Sequence, residues 1–335
     1  MNGKRGGGLL MQKNVLMRNS DESVLKYRKS KIKRFLFGSY ENSGFLVKLA
    51  LYFVLIVISY IYLFPLITML VTSFMSVDDL VNDSVHWIPT KLVLDNFKQA
   101  FEVMDFGNTI SDTLQLSVLP SLCQVVICCF TGYAFSRYRF KGKAICWGLL
   151  ILTFVLPSQA TMIPTYLIFN EMDIIGTVWA FVLPAVLGQG FKSTIITLVF
   201  YLFFSQISTS QIEAASLDGC GHFKVFFYIA LPCVGAAFII GFLFSLVWYW
   251  NETYLTNMYI SNSNIGHDHS MTTLLVKLTQ FEAAYKLLNE GEGDNTLNEA
   301  IRMAGTVICI TPLLTVYFIL QKYFVQSVDM VGLKD

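Results

Sequence analysis

The chain has 335 residues, of which 54% are hydrophobic and only 14% are charged. Soluble globular domains carry about 25% charged residues, so this composition excludes an ordinary soluble enzyme, a disordered protein and a nucleic-acid-binding protein. The 24 Lys and Arg residues nearly balance the 23 Asp and Glu residues, and the formal net charge is +1. The positions of the charges along the chain are therefore more informative than their sum.

The cysteines and histidines indicate neither a disulfide framework nor a metal site. All of the seven cysteines except Cys220 lie in apolar runs, where a thiol behaves as a small hydrophobic side chain. The one close histidine pair, His267 and His269, belongs to a polar loop. We expect no metal ion and no cofactor on this chain.

The first 44 residues form a polar and basic segment with ten Lys or Arg residues. A secretory signal peptide places its apolar stretch soon after a short basic region, whereas the first apolar run here begins near Leu49. The sequence therefore predicts a mobile cytoplasmic tail over residues 1–44, followed by an uncleaved membrane anchor.

Six apolar runs are candidate membrane spans. A helix needs about 20 apolar residues to cross the hydrocarbon core of a bilayer, and lipid offers no hydrogen-bond partner to a non-helical backbone. The runs are Leu49–Val71, Thr113–Phe135, Ala144–Phe169, Val178–Phe204, Cys233–Tyr249 and Ala304–Leu320. Pro157 and Pro164 are expected to interrupt the third run, and Gly188 and Gly190 lie inside the fourth. The sequence thus predicts an all-α polytopic membrane protein with six transmembrane helices.

Lys and Arg residues predict the orientation, because cytoplasmic loops carry an excess of them. With the N-terminus inside, the inner segments contain the basic tail and the basic segment 137–143, whereas the short outer loop Asn170–Thr177 contains no Lys or Arg. Both termini are therefore expected in the cytoplasm. The expected division is a membrane domain over 45–325, extracytoplasmic segments over 76–111 and 251–302, a cytoplasmic loop over 205–232 and a cytoplasmic tail over 326–335.

The cytoplasmic segment 205–232 contains a spaced motif. Three residues separate Glu213-Ala214-Ala215 from Gly219, and nine more precede Ile229-Ala230-Leu231-Pro232. Ser210 has the spacing of a capping box relative to Glu213, and Gly219 permits a left-handed turn. The two small alanine side chains allow another surface to approach closely. These features predict a short, stiff helix at the membrane surface.

A second short helix is expected over residues 222–228, with Phe223, Phe226 and Phe227 on one apolar face. Pro232 is expected to mark the start of the fifth membrane helix, because proline suits a first helical turn.

The spacing of this motif resembles the cytoplasmic coupling loop of permease subunits of ATP-binding-cassette importers. Other segments are similar to the sugar-importer branch of that family, in particular the maltose-type permease with six spans. These segments are Asp95-Asn96-Phe97, Gly107-Asn108-Thr109, 137–143, Trp250-Asn251-Glu252 and the C-terminal residues 321–335. The resemblance runs from Lys48 to the end, apart from an insert over residues 261–299, and implies a type I ABC importer permease fold.

The resemblance implies a transporter subunit rather than an enzyme. In such systems the coupling loop docks on a separate ATPase, which binds ATP and Mg²⁺; Glu213 pairs there with a basic group. The implied partners are a second, related permease in a heterodimer, an ATPase dimer and an extracytoplasmic binding protein that delivers a carbohydrate; lipid surrounds the chain, and no nucleic acid is involved. The residues matched to ATPase coupling are Glu213, Ala214, Ala215, Asp218, Gly219, Ile229, Leu231 and Pro232.

Polar residues within the apolar runs are candidates for the translocation path. They are Gln115, Gln124, Gln159, Tyr166, Lys192 and Asn251. Amide side chains also form hydrogen bonds between membrane helices, which is the competing interpretation for the Gln and Asn residues. For Lys192, the alternative is that the fourth helix begins after Gly190 and the lysine extends outward to the interface.

Three other functions remain open. The same architecture serves importers of non-sugar solutes. An ion-coupled secondary transporter usually places ionisable groups near the membrane midplane, and no Asp or Glu lies deep in these runs. An intramembrane enzyme ranks last, since the chain has no recognisable catalytic motif, and it also lacks the phosphate-binding loop of an ATPase. The 261–299 insert is a candidate contact for the binding protein.

Overall fold

The computed structural model describes residues 42–85, 87–261, 271–289 and 297–332, preceded by Leu36 and the pair Gly38–Ser39, with side chains described only as far as Lys322 in the last helix. Most of the basic tail, the pair His267 and His269, part of the 261–299 insert and the last three residues lie outside the described residues. The chain divides into two compact units, Met1–Thr68 and Met69–Asp335.

The first unit contains a short β ladder and most of the first long helix. Strand β1 (Gly38–Ser39) pairs antiparallel with β2 (Asn42–Ser43). Helix α1 (Phe45–Ser73) has 29 residues, about 43 Å at 1.5 Å per residue, which is enough to cross a bilayer. It extends beyond the predicted run Leu49–Val71 at both ends. Its side chains from 45 to 67 are exposed, as expected of a surface in contact with lipid.

The rest of the described chain is helical. The helices are α2 (Val77–Val81), α3 (Asp95–Val103), α4 (Phe106–Arg137), α5 (Lys143–Val155), α6 (Ser158–Glu171), α7 (Trp179–Val186), α8 (Ser193–Gln206), α9 (Thr209–Leu217), α10 (His222–Val225), α11 (Leu231–Cys233), α12 (Gly235–Trp250), α13 (Tyr254–Thr256), α14 (Leu274–Thr279), α15 (Phe281–Leu288) and α16 (Glu299–Gly332). Two π-helical turns, Phe226–Ala230 and Asn257–Ser261, follow α10 and α13. Helix α16 continues past residue 325, where the sequence predicted a tail.

Helices α1, α4 and α16 are each long and apolar enough to cross a membrane. Three bent pairs also qualify: α5 with α6 at 97°, α8 with α9 at 71°, and the segment His222–Cys233 with α12 at 74°. Counting each bent pair as one span gives six, which is the predicted number. In the second pair α8 lies in the predicted fourth run, whereas α9 lies in the predicted cytoplasmic loop.

The third run is broken at one of its two prolines, and the fourth run is broken beside its two glycines. Leu156 is extended (φ −64°, ψ 123°), the conformation favoured before a proline, and Pro157 therefore separates α5 from α6. Pro164 lies inside α6 and does not end it, although an interior proline removes one backbone hydrogen bond of the helix. The fourth run divides into α7 and α8 at a left-handed Gly188 (φ +75°) and Lys192 (φ +52°).

Helix α4 is the central element of the second unit, with half of its apolar window buried. Gly132 allows it to meet α8 closely: a Cβ at that position would lie 2.6 Å from Phe200 Cβ and 2.9 Å from the backbone nitrogen of Tyr201. Thr113, Ser117 and Ser121 recur every four residues on the buried side of α4, and each hydroxyl donates to the carbonyl four residues earlier. These small polar side chains are thus satisfied within the helix and leave room for its neighbours.

Hydrogen bonds connect the segments predicted to be extracytoplasmic to the long helices. Helix α4 begins at Phe106, seven residues before the predicted run. As a result Asp112 is a buried helical residue, and it accepts a hydrogen bond from the backbone nitrogen of Thr272 at 3.1 Å. The same segment contains α3, whose Asn96 donates to the carbonyls of Ser73 and Met75.

The described part of the 261–299 insert belongs to the core. Leu274, Phe281 and Tyr285 are buried and cluster with Trp250 and Ile301. Glu282 on α15 forms ion pairs with Lys286 and Arg302. Removing the whole insert would therefore take core residues away, and a test of this segment as a binding surface must spare α14 and α15.

We predict that Gly132→Ala destabilises the protein. The added methyl group has no space between α4 and α8, and overpacking of this kind costs about 1–3 kcal/mol. The matched control is Gly148→Ala in α5, where a Cβ would meet nothing within 4 Å and alanine is favoured over glycine in a helix. Thermal unfolding in detergent should show a lower midpoint for Gly132→Ala only. Equal midpoints for the two variants would contradict the proposed close approach.

We also predict a pH-dependent role for Asp79. Its carboxylate accepts from the Thr90 hydroxyl at 2.6 Å and from the backbone nitrogens of Thr90 and Ser76, and these hydrogen bonds, led by that of the Thr90 hydroxyl, lower the pKa of Asp79 below its ordinary 3.8. A carboxyl whose folded pKa is lowered stabilises the fold above its unfolded pKa and loses this contribution as the pH falls through the folded pKa. Asp79→Asn should therefore be less stable than wild type at pH 7. Denaturation at pH 7 and at successively lower pH should show that difference shrinking below pH 3.8.

Candidate functional site

The loop predicted to be cytoplasmic leaves α8 through two residues. Ile207 is extended (φ −69°, ψ 130°), and Ser208 is the N-cap of α9. The predicted capping box at Ser210 is therefore wrong, since the helix begins at Thr209. The Ser210 hydroxyl instead lies 2.6 Å from that of Ser208. The early exit from α8 allows α9 to start one residue before the expected cap.

The Glu-Ala-Ala motif lies on α9. Glu213 and Ala214 are exposed, whereas Ala215 is buried, with 8% of its surface exposed. Asp218 caps the C-terminus of α9, and Gly219 adopts the predicted left-handed conformation (φ +81°). The expectation of two alanines open to another surface therefore holds for only one of them.

The second half of the loop differs from the sequence prediction. Helix α10 ends at Val225 and continues as a π-helical turn. Phe226 is 4% exposed, whereas Phe223 is 80% exposed, so the three phenylalanines do not share one face. A π-turn adds a residue to the helical repeat, which rotates the later side chains relative to the earlier ones.

The end of the motif lies in a short connection. Ile229 and Leu231 are half-buried and Pro232 is exposed. Proline lies at the start of α11, a helix of only three residues. The fifth membrane helix begins at Gly235 and not at Pro232, because Val234 (φ −110°, ψ 19°) interrupts the helix between them.

Large apolar side chains are exposed at the tip of the loop. Leu217 is 88% exposed, close to the exposed charges of Glu213, Asp218 and Lys224. A surface that mixes exposed apolar groups with charges is unsuited to lipid and typical of a protein-binding surface. The loop is therefore a candidate docking surface.

A cavity of about 680 Å³ lies where the helices of the third and fourth runs are broken, within the volume range of ligand pockets. The breaks around Pro157 and Gly190, the end of α12 and the π-helical turn at Tyr259 line it. The lining combines hydroxyl and amide side chains with the rings of Phe181, Phe191, Trp248, Tyr249 and Tyr259.

The structure separates the translocation candidates into two groups. Gln159, Lys192 and Asn251 line the cavity. Gln115 is exposed on α4 and donates to the Ser111 hydroxyl at 3.3 Å, away from the cavity. Tyr166 also lies outside the lining, with its ring stacked 6.4 Å from that of Tyr259.

Gln124 connects α4 to the break between α7 and α8. It is fully buried, and its Nε2 donates to the carbonyl of Phe191 at 2.8 Å. A Cβ on Gly190 would lie 2.2 Å from Gln124 Oε1 and 2.7 Å from the Tyr249 hydroxyl. The break between α7 and α8 is thus fixed against α4 and α12.

The position of Lys192 agrees in part with both sequence interpretations, a residue of the translocation path and a residue at the start of the fourth helix. Helix α8 starts directly after it, as the outward-extending alternative required, yet the side chain also lines the cavity. Its Nζ lies 5.1 Å from the ring centroid of Trp248, within the range of a cation–π contact. Lys192 and Glu252 are the charged side chains among the described lining residues.

The sequence did not identify the aromatic part of the lining or Gln189. Phe and Tyr are abundant throughout the chain, so composition does not separate the lining rings from those in the core. No group of three His, Cys, Asp or Glu side chains placed to hold a metal ion occurs within the described ranges.

Several known proteins that are similar to this chain are named as transport system permease proteins. The chain is 28% identical over 284 residues to the probable starch degradation products transport system permease protein AmyC of Thermoanaerobacterium thermosulfurigenes, covering 84% of this chain and 95% of AmyC. It is 26% identical to the arabinooligosaccharides transport system permease protein AraQ of Halalkalibacterium halodurans, covering 83% and 93%. It is 24% identical to the lactose transport system permease protein LacG of Rhizobium radiobacter, covering 82% and 93%.

Among solved structures, the fold is similar to a chain from a bacterial ABC transporter involved in the import of the acidic polysaccharide alginate. The TM-score is 0.60 at 19% identity, covering 83% of this chain and 96% of that one. At this identity the likeness concerns the fold alone, and it confirms the predicted all-α importer permease fold.

Residues 124–330 match the family described as binding-protein-dependent transport system inner membrane component. Members of this family are transporter subunits rather than enzymes and work with a separate ATPase and a binding protein. The match covers more than half of the chain, whose helices include spans of membrane-crossing length. The chain therefore belongs to the inner membrane components of binding-protein-dependent transport systems.

Proposed function

We propose that this chain is a permease subunit of an ATP-driven carbohydrate importer. The relatives named above are called permeases for starch degradation products, arabinooligosaccharides and lactose, which favours a saccharide over a non-sugar solute. The binding protein delivers the sugar at the outer face. Two such permease subunits, this one and a related partner, enclose the path.

The exposed tip of the cytoplasmic loop carries this proposal. Glu213 is exposed and positioned to pair with a basic group of the ATPase, and Leu217 and Phe223 offer apolar contact area beside it. Gly219 turns the chain sharply after α9, which holds the tip as a compact projection. We expect the other residues matched to this motif, Asp218, Ile229, Leu231 and Pro232, to contribute to the same coupling.

The loop must lie on the cytoplasmic side for this function, and both termini lie there as well. The basic residues of the segment 137–143 support this orientation, because they follow α4 and precede α5 on the same side as the loop. The chain itself binds no nucleotide; ATP and Mg²⁺ bind to the ATPase pair.

The cavity has the chemistry of a saccharide path. Gln159 and Asn251 provide amide groups that hydrogen-bond to sugar hydroxyls, and aromatic rings such as Tyr249 offer apolar faces that cover the C–H faces of a sugar. Irregular backbone is tolerated at membrane depth where it lines a cavity, which fits the broken helices around this site.

We predict that Glu213→Ala and Gly219→Ala each disrupt coupling to the ATPase. The first removes the charge for the docking groove. The second forces a Cβ into a left-handed conformation, which costs about 1–2 kcal/mol, although nothing lies within 4 Å. Both variants should retain less than about a tenth of the copurified ATPase and of the uptake rate.

The control for the loop is Gly221→Ala. This glycine also has nothing within 4 Å of an added methyl group, but its φ of −69° is ordinary, so alanine should be tolerated. Normal copurification and uptake for Glu213→Ala and Gly219→Ala would contradict the docking role. Uptake that persists in cells without any ATPase subunit would favour an ion-coupled transporter.

We predict that Gln159→Ala and Asn251→Ala each raise the KM for uptake of the oligosaccharide that wild-type cells import through this chain. Loss of one neutral hydrogen bond, about 0.5–1.5 kcal/mol, corresponds to a rise of roughly two- to tenfold. Gln115→Ala is the matched control, since Gln115 lies outside the cavity. If Gln159→Ala and Asn251→Ala have the same KM as Gln115→Ala, this result would argue against the cavity as the translocation path.

A further inference from the structure

The last turn of α4 holds the beginning of the cytoplasmic loop. Arg137 is the final residue of α4, and its Nη2 donates to the carbonyl of Phe204 and, at 2.6 Å, to the carbonyl of Ile207. These acceptors lie in the last turn of α8 and in the connection to α9. The last carbonyls of a helix have no partner within the helix, and a cation is favoured at that end. Arg137 therefore closes the C-terminus of α8 through acceptors that lie 67 and 70 residues further along the chain.

The same part of α4 also holds the other end of the loop. The ring of Tyr133 lies 5.1 Å from that of Phe204, directly before the loop, and 4.8 Å from that of Phe226, in the second half of the loop. Phe130 stacks on Phe226 with centroids 5.0 Å apart. Tyr133, Phe204 and Phe226 are all buried. The beginning and the second half of the loop are thus both held by the C-terminal end of α4.

Helix α8 connects the part of the loop that Arg137 and Tyr133 hold to the cavity. Its first residues, Ser193 and Thr194, line the cavity, and its last residue, Gln206, precedes the loop. Fourteen helical residues span about 20 Å. Gly132 fixes the distance between α4 and α8 along this length. The joint between α8 and α9 is the pair Ile207 and Ser208.

We propose that Arg137 is a positioning residue of the transport cycle. By bonding to the carbonyls on the α8 side of the joint, it prevents the loop from swinging about residues 207 and 208. Movement imposed on the loop by the ATPase then displaces α8 as a rigid body and reaches the cavity at its far end. This inference rests on the proposed function, since it requires an ATPase docked on the loop.

Hydrogen–deuterium exchange on the assembled complex tests the inference. The complex is purified from native membranes through this chain, placed in nanodiscs and measured with and without ATP, Mg²⁺ and orthovanadate. In the wild type, nucleotide should change exchange both in the loop and at residues 188–195 beside the cavity. An unchanged wild-type segment 188–195 would overturn the inference, because no movement would then reach the cavity.

The informative variant is Arg137→Met, which keeps an apolar stem and removes the donors. Exchange at residues 207–210 should rise by about tenfold, the factor for losing a charge-assisted hydrogen bond. The nucleotide response at 188–195 should fall at least threefold while ATP hydrolysis continues. Arg137→Lys should restore the response, and Arg139→Met, which removes an exposed charge from the same segment, should leave it unchanged.

A wild-type response in assembled Arg137→Met complexes would overturn the inference and leave the proposed function intact. Failure of the wild-type chain to copurify with an ATPase would instead contradict the proposed function. If Arg137→Met does not assemble, Arg137→Gln, which keeps an amide donor, should assemble with a reduced response at 188–195. A full nucleotide response at 188–195 in Arg137→Gln would equally overturn the inference. Loss of ATP hydrolysis together with this response would also overturn it, because Arg137 would then have a merely structural role.

Discussion

The close packing of α4 against α8 is the constraint on which the rest of the second unit depends. It requires Gly132, because any side chain at that position would collide with the backbone of α8. Small hydroxyl residues further along α4, such as Thr113 and Ser117, satisfy their own hydrogen-bonding groups within the helix. In lipid, where apolar side chains gain little by leaving the solvent, such close backbone approach is a main source of helix association. The pair α4 and α8 therefore forms a rigid support at the centre of the subunit.

The cavity exists because the helices around this support are interrupted. Pro157 ends one helix, the left-handed residues Gly188 and Lys192 separate two others, and the freed backbone lines the cavity instead of facing lipid. Gln124 and Gly190 fix one of these breaks against α4. The residues that interrupt these membrane helices therefore also create the polar cavity between them.

The loop between α8 and α12 is buried at its base and exposed at its tip. Phe204 and Phe226 at the base are fixed to Tyr133, whereas Leu217 and Glu213 at the tip contact no core. The docking role proposed for this loop needs this combination, because a flexible base would absorb any movement imposed on the tip. The charge of Arg137 contributes to the base by completing the end of α8.

Local patterns in the sequence determined the all-α class, the number of candidate spans, the turn at Gly219 and the family resemblance. Each depends on neighbouring residues: an apolar run fixes a membrane helix, and a glycine at the right spacing permits a left-handed turn. The tertiary structure decided which polar residues share a site. Gln115 and Gln159 have the same chemistry, but only the second faces the cavity, because the direction of a side chain depends on how its helix packs. Arg137 indicated only topology in the sequence, since its two acceptors lie 67 and 70 residues away, and contacts at that distance arise from helix packing and leave no mark in a local pattern.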